Sequence, residues 1–504
     1  MSVTRKLSGG PNEFSLSLID NRRIRGGERR RRLRPGDWIH IRARVRHWSR
    51  LSKRYEHPNV PLLIGRILSV GKSEKATKSG GIIHTVEISG DDFGCVFRQA
   101  EIFFNPWLSE VFSNSGGYAV DPYLFANEDF VESWSQTINA TPQQFIKVLI
   151  STFMGLGISC NQRMDVPEDF MNFLNRRGQW NDHVSGRNIF ARMLAFREGL
   201  TAPNNVSAGL KGSVFDMNIG NLGAGGSGGS AWDALQRYAN LAVNELFFEL
   251  HNVTGSGQPT LVMREKPWPS WVKDDPDGRL DTEAWDDLLV TRIRSDEIST
   301  TQVSRNDELR FNYFLALPNM MGHLTQDTAA ISGVFKGLLP IIDLQSINRH
   351  GLRRIEPRMM YTGFEAPTGG GKQYNYLDLM AAWSCQLASW FYLSHEYLNG
   401  IIQVPFLNAG EVGQKLVVQK PYNRQDLSQN TLWDEYYING IKWSWSIGPR
   451  GEPTANTSYI VSRGLEDLRG RISSSGLLFR RHGAYPLPIP DQVKNCLAAI
   501  QSRP

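Results

Sequence analysis

A chain of 504 residues has room for about three domains, and 40% hydrophobic with 21% charged residues is a globular balance, neither disordered nor fibrous. The net charge of +6 is concentrated in residues 22–34, RRIRGGERRRRLR, which hold eight arginines. Without that run the chain is close to neutral, which argues against a general nucleic-acid binder.

The start, MSVTRKLSGGPNEF, has no apolar signal-peptide core, and no segment reaches the ~18 uninterrupted apolar residues of a membrane span. Cys95, Cys160, Cys385 and Cys496 are far apart, with no CxxC. They read as reduced thiols in a protein assembled inside a cell.

In chain order, residues 12–107 read as β. FSLSLID (14–20) is a strand, the arginine run is a loop, and Pro35-Gly36-Asp37 is a turn. WIHIRARVRHW (38–48), LLIGRILSVGKS (62–73) and IIHTVEISGDDFG (82–94) complete a meander. Character then changes. TPQQFIKVLISTFM, from Thr141, starts like a helix, with a Thr cap and proline at the first helical position. VPEDFMNFLNRR (166–177) and GRNIFARMLAFREGL (186–200) also read as helical, and GNLGAGGSGGS (220–230) as a flexible loop. WDALQRYANLAVNELFFELH (232–251) predicts the longest helix, with Leu235, Tyr238, Leu241, Ala242 and Leu246 on one stripe.

Residues 258–317 return to β through PTLVMREKPW, DLLVTRI and LRFNYFLALP. Residues 325–400 are mixed, with a long helix predicted in 377–400. Residues 401–465 are β again. Their clearest signal is Asp434 to Leu465, two alternating runs around a Gly- and Pro-rich break, which predicts a hairpin with one buried face. The tail from Arg471 reads as an extended arm.

The fold class expected is therefore α+β, β-rich, with two barrel-like units and helical or mixed inserts. The expected divisions are a first β domain at 12–115 and a helical insert at 116–230. A helix and the first part of a second β domain follow at 231–320, then a mixed insert at 321–400. The rest of that β domain takes 401–468 and the C-terminal arm 469–504.

Candidate chemistry is sparse. Thr368 to Lys372 (TGGGK) lacks the outer glycine and the final Ser or Thr of a phosphate loop. Glu245 and Glu249 read as the solvated face of a helix rather than a glycosidase pair. Asp274, Asp275 and Asp277 form an acidic loop that could hold a cation but lacks EF-hand spacing. His84 and His350 read as structural; no HExxH or GxSxG occurs. No catalytic residue, cofactor or metal is assigned. Arg29, Arg30, Arg31 and Arg32 are open to three readings: a solvated loop, a grip on an acidic partner, or a DNA contact. Trp107, Trp443 and Trp445 are candidate interface anchors or core residues.

The order and spacing of several stretches resemble the baseplate hub proteins of tailed bacteriophages, the group of contractile-tail hubs and late-control D proteins. They are RPGDWIHIRARV; LIGRILSVGKS with HTVEISGDDFGCVFRQAEIFFNPW; ALQRYANLAVNELFFEL with TLVMREKPW; SRNDELRFNYFLAL; INRHGLRRIEPRMMY; YLNGIIQVPFLNAGEVGQKLVV; and YYINGIKWSWSI with SYIVSRGL. The resemblance implies that the two β units are tube domains and that the chain forms a homotrimer. Three copies then present six units around a channel for phage DNA. A sixfold tail tube, or its initiator, would sit on one side, with a threefold central spike and other baseplate proteins as further partners. It places the protein in the virion, in a tail baseplate assembled in host cytoplasm. A cell-wall-degrading tail enzyme and a DNA-binding ejection protein are the alternatives.

Overall fold

The computed structural model describes residues 1–7, 12–19, 33–49, 54–76, 82–99, 195–198, 230, 232–233, 236, 241–250, 260–267, 288–318, 340–359, 384, 387–388, 390–420, 432–448 and 452–465. The N-terminal strands are β1 (Ser2–Lys6), β2 (Glu13–Ile19), β3 (Trp38–Arg44), β4 (His47–Ser49), β5 (Arg54–Glu56), β6 (Asn59–Ala76) and β7 (Ile82–Asp92). Helix α1 (Cys95–Gln99) follows, then β8 (Ala195–Glu198), β9 (Asn244–Glu249), β10 (Thr260–Glu265), β11 (Val290–Arg294) and β12 (Thr300–Ser304). Short strands β13 (Tyr313–Phe314), β14 (Leu317–Pro318), β15 (Ile341–Ile342), β16 (Arg354–Ile355) and β17 (Arg358–Met359) surround α2 (Leu344–His350). The last four strands are β18 (Leu398–Val404), β19 (Lys415–Lys420), β20 (Leu432–Ile447) and β21 (Pro453–Leu465).

Eleven of these strands form one sheet, ordered β12-β18-β21-β20-β1-β2-β7-β6-β3, with β19 also on β20 and β11 on β19. All its pairings are antiparallel except β11 with β19. The predicted hairpin is β20 and β21, paired from Glu435↔Leu465 to Ile447↔Pro453. Alternation explains it: Ile441, Trp443, Tyr459 and Val461 are buried, whereas Lys442 and Ile460 face out.

Within this sheet lie two units of the same topology. β2, β3, β6 and β7 are arranged first-fourth-third-second; so are β18, β19, β20 and β21. In each unit the third and fourth strands make the longest hairpin, and that hairpin carries a bulge. Close approach recurs at one equivalent point. Gly90 of β7 faces Phe14 of β2, and Gly464 of β21 faces Leu398 of β18. A Cβ on Gly90 would lie 2.8 Å from the Phe14 ring, and one on Gly464 2.8 Å from Leu398 Cβ.

The two barrel-like units expected are not closed barrels among the described residues. β1 pairs with β2 on one side and β20 on the other, splicing the units edge to edge. One core serves both: Val3, Phe14, Leu63, Ile88, Ile402, Tyr436, Trp443 and Tyr459 belong to a single buried cluster. The far end of the sheet returns to the other end at one point. Arg46, beyond β3, makes a parallel bridge to Asn408, beyond β18, and its side chain pairs with Glu297 at 2.6 Å. A single bridge is not a ladder, so no closed barrel exists among the described residues.

Three helix predictions also need correction. NELFFE, inside the stretch expected as the longest helix, is strand β9, with Leu241 and Ala242 in the turn before it. AFRE, inside 186–200, is strand β8. In both, tertiary pairing with β10 overrides a helical period. Finally, the helix predicted for 377–400 does not reach 400: helical residues occur up to Phe391, and β18 begins at Leu398. The expected helices from Thr141 and at 166–177, the loop at 220–230 and the tail from Arg471 lie outside the described residues, apart from an isolated bridge at Ser230.

Candidate functional site

Two features could carry function: a buried ionic seam and the two unlike faces of the large sheet. The seam lies where β9 and β10 meet β1, β20 and β21. Arg5 of β1 is buried, pairs with the buried Glu411, and donates to the backbone oxygen of Phe248. Phe248 stacks on Trp232 at 5.5 Å and meets Phe93 and Phe97. On the neighbouring side Tyr437 of β20 donates to Glu245 of β9 at 2.6 Å. Arg463, at φ +54°, lies 3.9 Å over the Trp390 ring and 4.4 Å over that of Tyr397, and donates to the Trp390 oxygen at 2.6 Å. Lys266 donates to the Ala242 oxygen at 2.9 Å and sits 5.1 Å over Phe391. Burial pulls the Lys266 ammonium down to about 8, partly opposed by Glu245, and it also lowers Arg463. Cations held over aromatic rings and beside carboxylates tolerate this burial. The seam thus fastens the small sheet of β8, β10 and β9 to the large one.

This arrangement corrects the reading of Glu245 and Glu249 as a solvated helical face. Both are buried on one face of a strand. Four residues along a strand set them about 13 Å apart, wider than the ~9.5 Å span of glycosidase carboxylates. The Cys95 thiol is buried, and desolvation pushes it up to about 12, so it stays protonated. Among the described residues no group of three or more His, Cys, Asp or Glu is placed to hold a metal. Among those residues, too, no helix is long and apolar enough to cross a membrane.

The tryptophans part company. Trp443 is 0% exposed, donates its ring N–H to the Asn408 oxygen at 2.9 Å, and belongs to the core. Trp445, on the same face two residues on, is 38% exposed, followed by Ile447 at 57%. Here the β20–β21 hairpin runs past the end of the core. The equivalent tip of β6–β7 is charged instead: Glu74 pairs with Lys72 and lies 3.0 Å from His84. His350 is exposed at the end of α2. Trp107, Arg29 to Arg32, Asp274 to Asp277 and Thr368 to Lys372 lie outside the described residues. The seam residues Arg5, Lys266, Glu411 and Arg463 were missed in sequence, because single charges in strands signal burial only when their partners are known.

These features define a β-rich protein with a spliced, internally duplicated sheet. No family model matches the chain, and neither does any curated protein. Among solved structures it is similar to a tail protein from Neisseria meningitidis, at 11% identity over 92% of this chain and 90% of that one, with a TM-score of 0.42. It is also similar to a chain of the Francisella PdpA-VgrG complex, at 9% identity over 95% of this chain and 55% of that one, with a TM-score of 0.32. At such scores neither likeness carries an argument about function.

Proposed function

We propose that the chain is a structural subunit of a phage-tail-type assembly, a baseplate hub that forms a homotrimeric ring between a sixfold tail tube and a threefold spike. The supporting observation is the repeated first-fourth-third-second unit. Three copies of a chain holding two like units offer six similar surfaces about a threefold axis, which reconciles the two symmetries. The units need not be separate barrels for this; a spliced sheet presents them in fixed relation. Cyclic closure requires a heterologous contact repeated around the axis, and the overhanging Trp445 and Ile447 are suited to anchor it or a partner contact. Trp107 remains a further candidate anchor. DNA would pass through the ring, with the tube or its initiator, the spike and other baseplate proteins as partners. The test is native mass spectrometry with class averages of the purified chain, alone and with its tail partners. A threefold ring is the expected result; a stable monomer under both conditions would sink the reading.

A second reading, DNA contact during ejection, is favoured by one observation. His40, Arg42 and Arg44 are exposed along β3, which follows the arginine run. It requires DNA affinity that falls steeply with salt and is lost on replacing Arg29, Arg30, Arg31 and Arg32 by Ala.

A further inference from the structure

The face of the large sheet opposite its core has an unusual composition. Cross-strand partners run Asn456↔Ser444, Ser444↔Ser2, Ser2↔Ser15, Ser15↔Ser89 and Ser89↔Ser69, one continuous row over β21, β20, β1, β2, β7 and β6. At ~4.8 Å per strand this row spans about 24 Å. All six side chains are exposed or half-exposed, and the Ser69 and Ser89 hydroxyls hydrogen-bond at 2.7 Å. The next row is Ser458, Lys442, Thr4, Glu13, Asp91 and Arg66. Ser17 and Glu87 pair on the other side, and Lys6 lies at the end of β1.

On the six strands of the row, the described charges of this face are Lys6, Arg66 and Lys442 against Glu13, Glu87 and Asp91. These six balance, although the chain carries +6; the neighbouring β3 adds the exposed Arg42 and Arg44 on the same face. Serine is not among the residues that strands favour, so six strands presenting Ser or Asn at one level need a reason beyond solubility. A cationic wall would condense phosphates and hold them. An apolar wall would gather a partner surface. A row of short hydroxyl side chains does neither, although the exposed Ile460 and Ile401 stand on the same face at its β21–β18 end.

We propose that this hydroxyl-bearing face is the wall of the channel, a neutral surface along which a nucleic-acid polyanion passes without being gripped. The proposal rests on the ring reading above and names the surface that reading leaves open. On β3, Arg42 and Arg44 stand on this same face but opposite Pro61 and Asn59, eight and ten residues along β6 from Ser69 and so off the level of the row.

The experiment is reagent-size-dependent labelling of single variants Ser15→Cys and Ser89→Cys, with Arg354→Cys as an exposed control off the large sheet and the natural cysteines as baseline. In the assembled ring, a small maleimide is expected to label both serine positions at the control rate. A large polyethylene-glycol maleimide should label them at least ten-fold more slowly than the control, and dissociated subunits should lose that difference. Protection from the small reagent in the ring would place the face in a subunit interface and overturn the proposal while the ring survives. Equal labelling by the large reagent would place the face on the outside of the ring and overturn the proposal in the same way. If no ring forms, both this proposal and the hub reading fall.

Discussion

Trp443 and Trp445 are two residues apart on one face of one strand, yet one is core and the other overhangs it. Trp443→Ala removes a fully buried ring and orphans the Asn408 oxygen, so it is expected to cost about 3–5 kcal/mol in denaturant unfolding. A cost under ~1 kcal/mol would contradict the packing described. Lys266 gives a pH signature. Burial holds it near 8, whereas an unfolded lysine titrates near ~10.4. Between those values the unfolded chain binds more protons, so folding stability rises with pH across the window. The burial penalty is fully felt below about pH 8. Denaturation midpoints measured from pH 7.5 to 10 should therefore climb in the natural chain and climb less in Lys266→Met. Parallel curves would show that another group is responsible.

At the scale of elements, the duplicated unit makes a paired prediction. Gly90 and Gly464 stand at equivalent points, each facing the first strand of its own unit. A methyl group at Gly90 meets the Arg66 backbone oxygen and the Phe14 ring; at Gly464 it meets the Tyr436 ring and Leu398. Each Gly→Ala substitution should destabilise by about 1–3 kcal/mol, as overpacking does. Thermal unfolding of the two variants checks this, and tolerance at either site would undo the equivalence. Most longer strands with one buried face were legible, as at 38–48, 62–73, 82–94 and 434–465. NELFFE was not, because β9 is buried on both faces. A strand apolar throughout carries no period of two, and its leucines and phenylalanines fit a helical stripe equally well.

For the whole molecule, the apolar hairpin tip is the clearest place to separate folding from assembly. Trp445→Ala with Ile447→Ser removes side chains that are 38% and 57% exposed, so the monomer's unfolding should change by about 1 kcal/mol, well below the cost of Trp443→Ala. Ring or partner assembly should fall at least ten-fold by native mass spectrometry. Unchanged assembly would free the tip from any interface role. The charged counterpart tip at Lys72, Glu74 and His84 supplies the contrast: the units share a topology but not a surface. Like units can thus hold unlike partners within a single ring.

Period-two patterning determined where most strands of the large sheet lie and which of their residues turn inward, because alternation is a local consequence of the pleat. The hairpin of β20 and β21 and the strands β2, β3, β6 and β7 were readable for that reason, but the expected meander was not their order: β2 lies beside β7, not β3. Only the tertiary structure decided that β1, a five-residue strand too short to announce itself, joins both units into one sheet over one core. It also decided that Glu245, Arg463 and Arg5 are buried, with Lys266 half-buried beside them. Partner choice between strands and between charges depends on contacts hundreds of residues apart, and no local period records them.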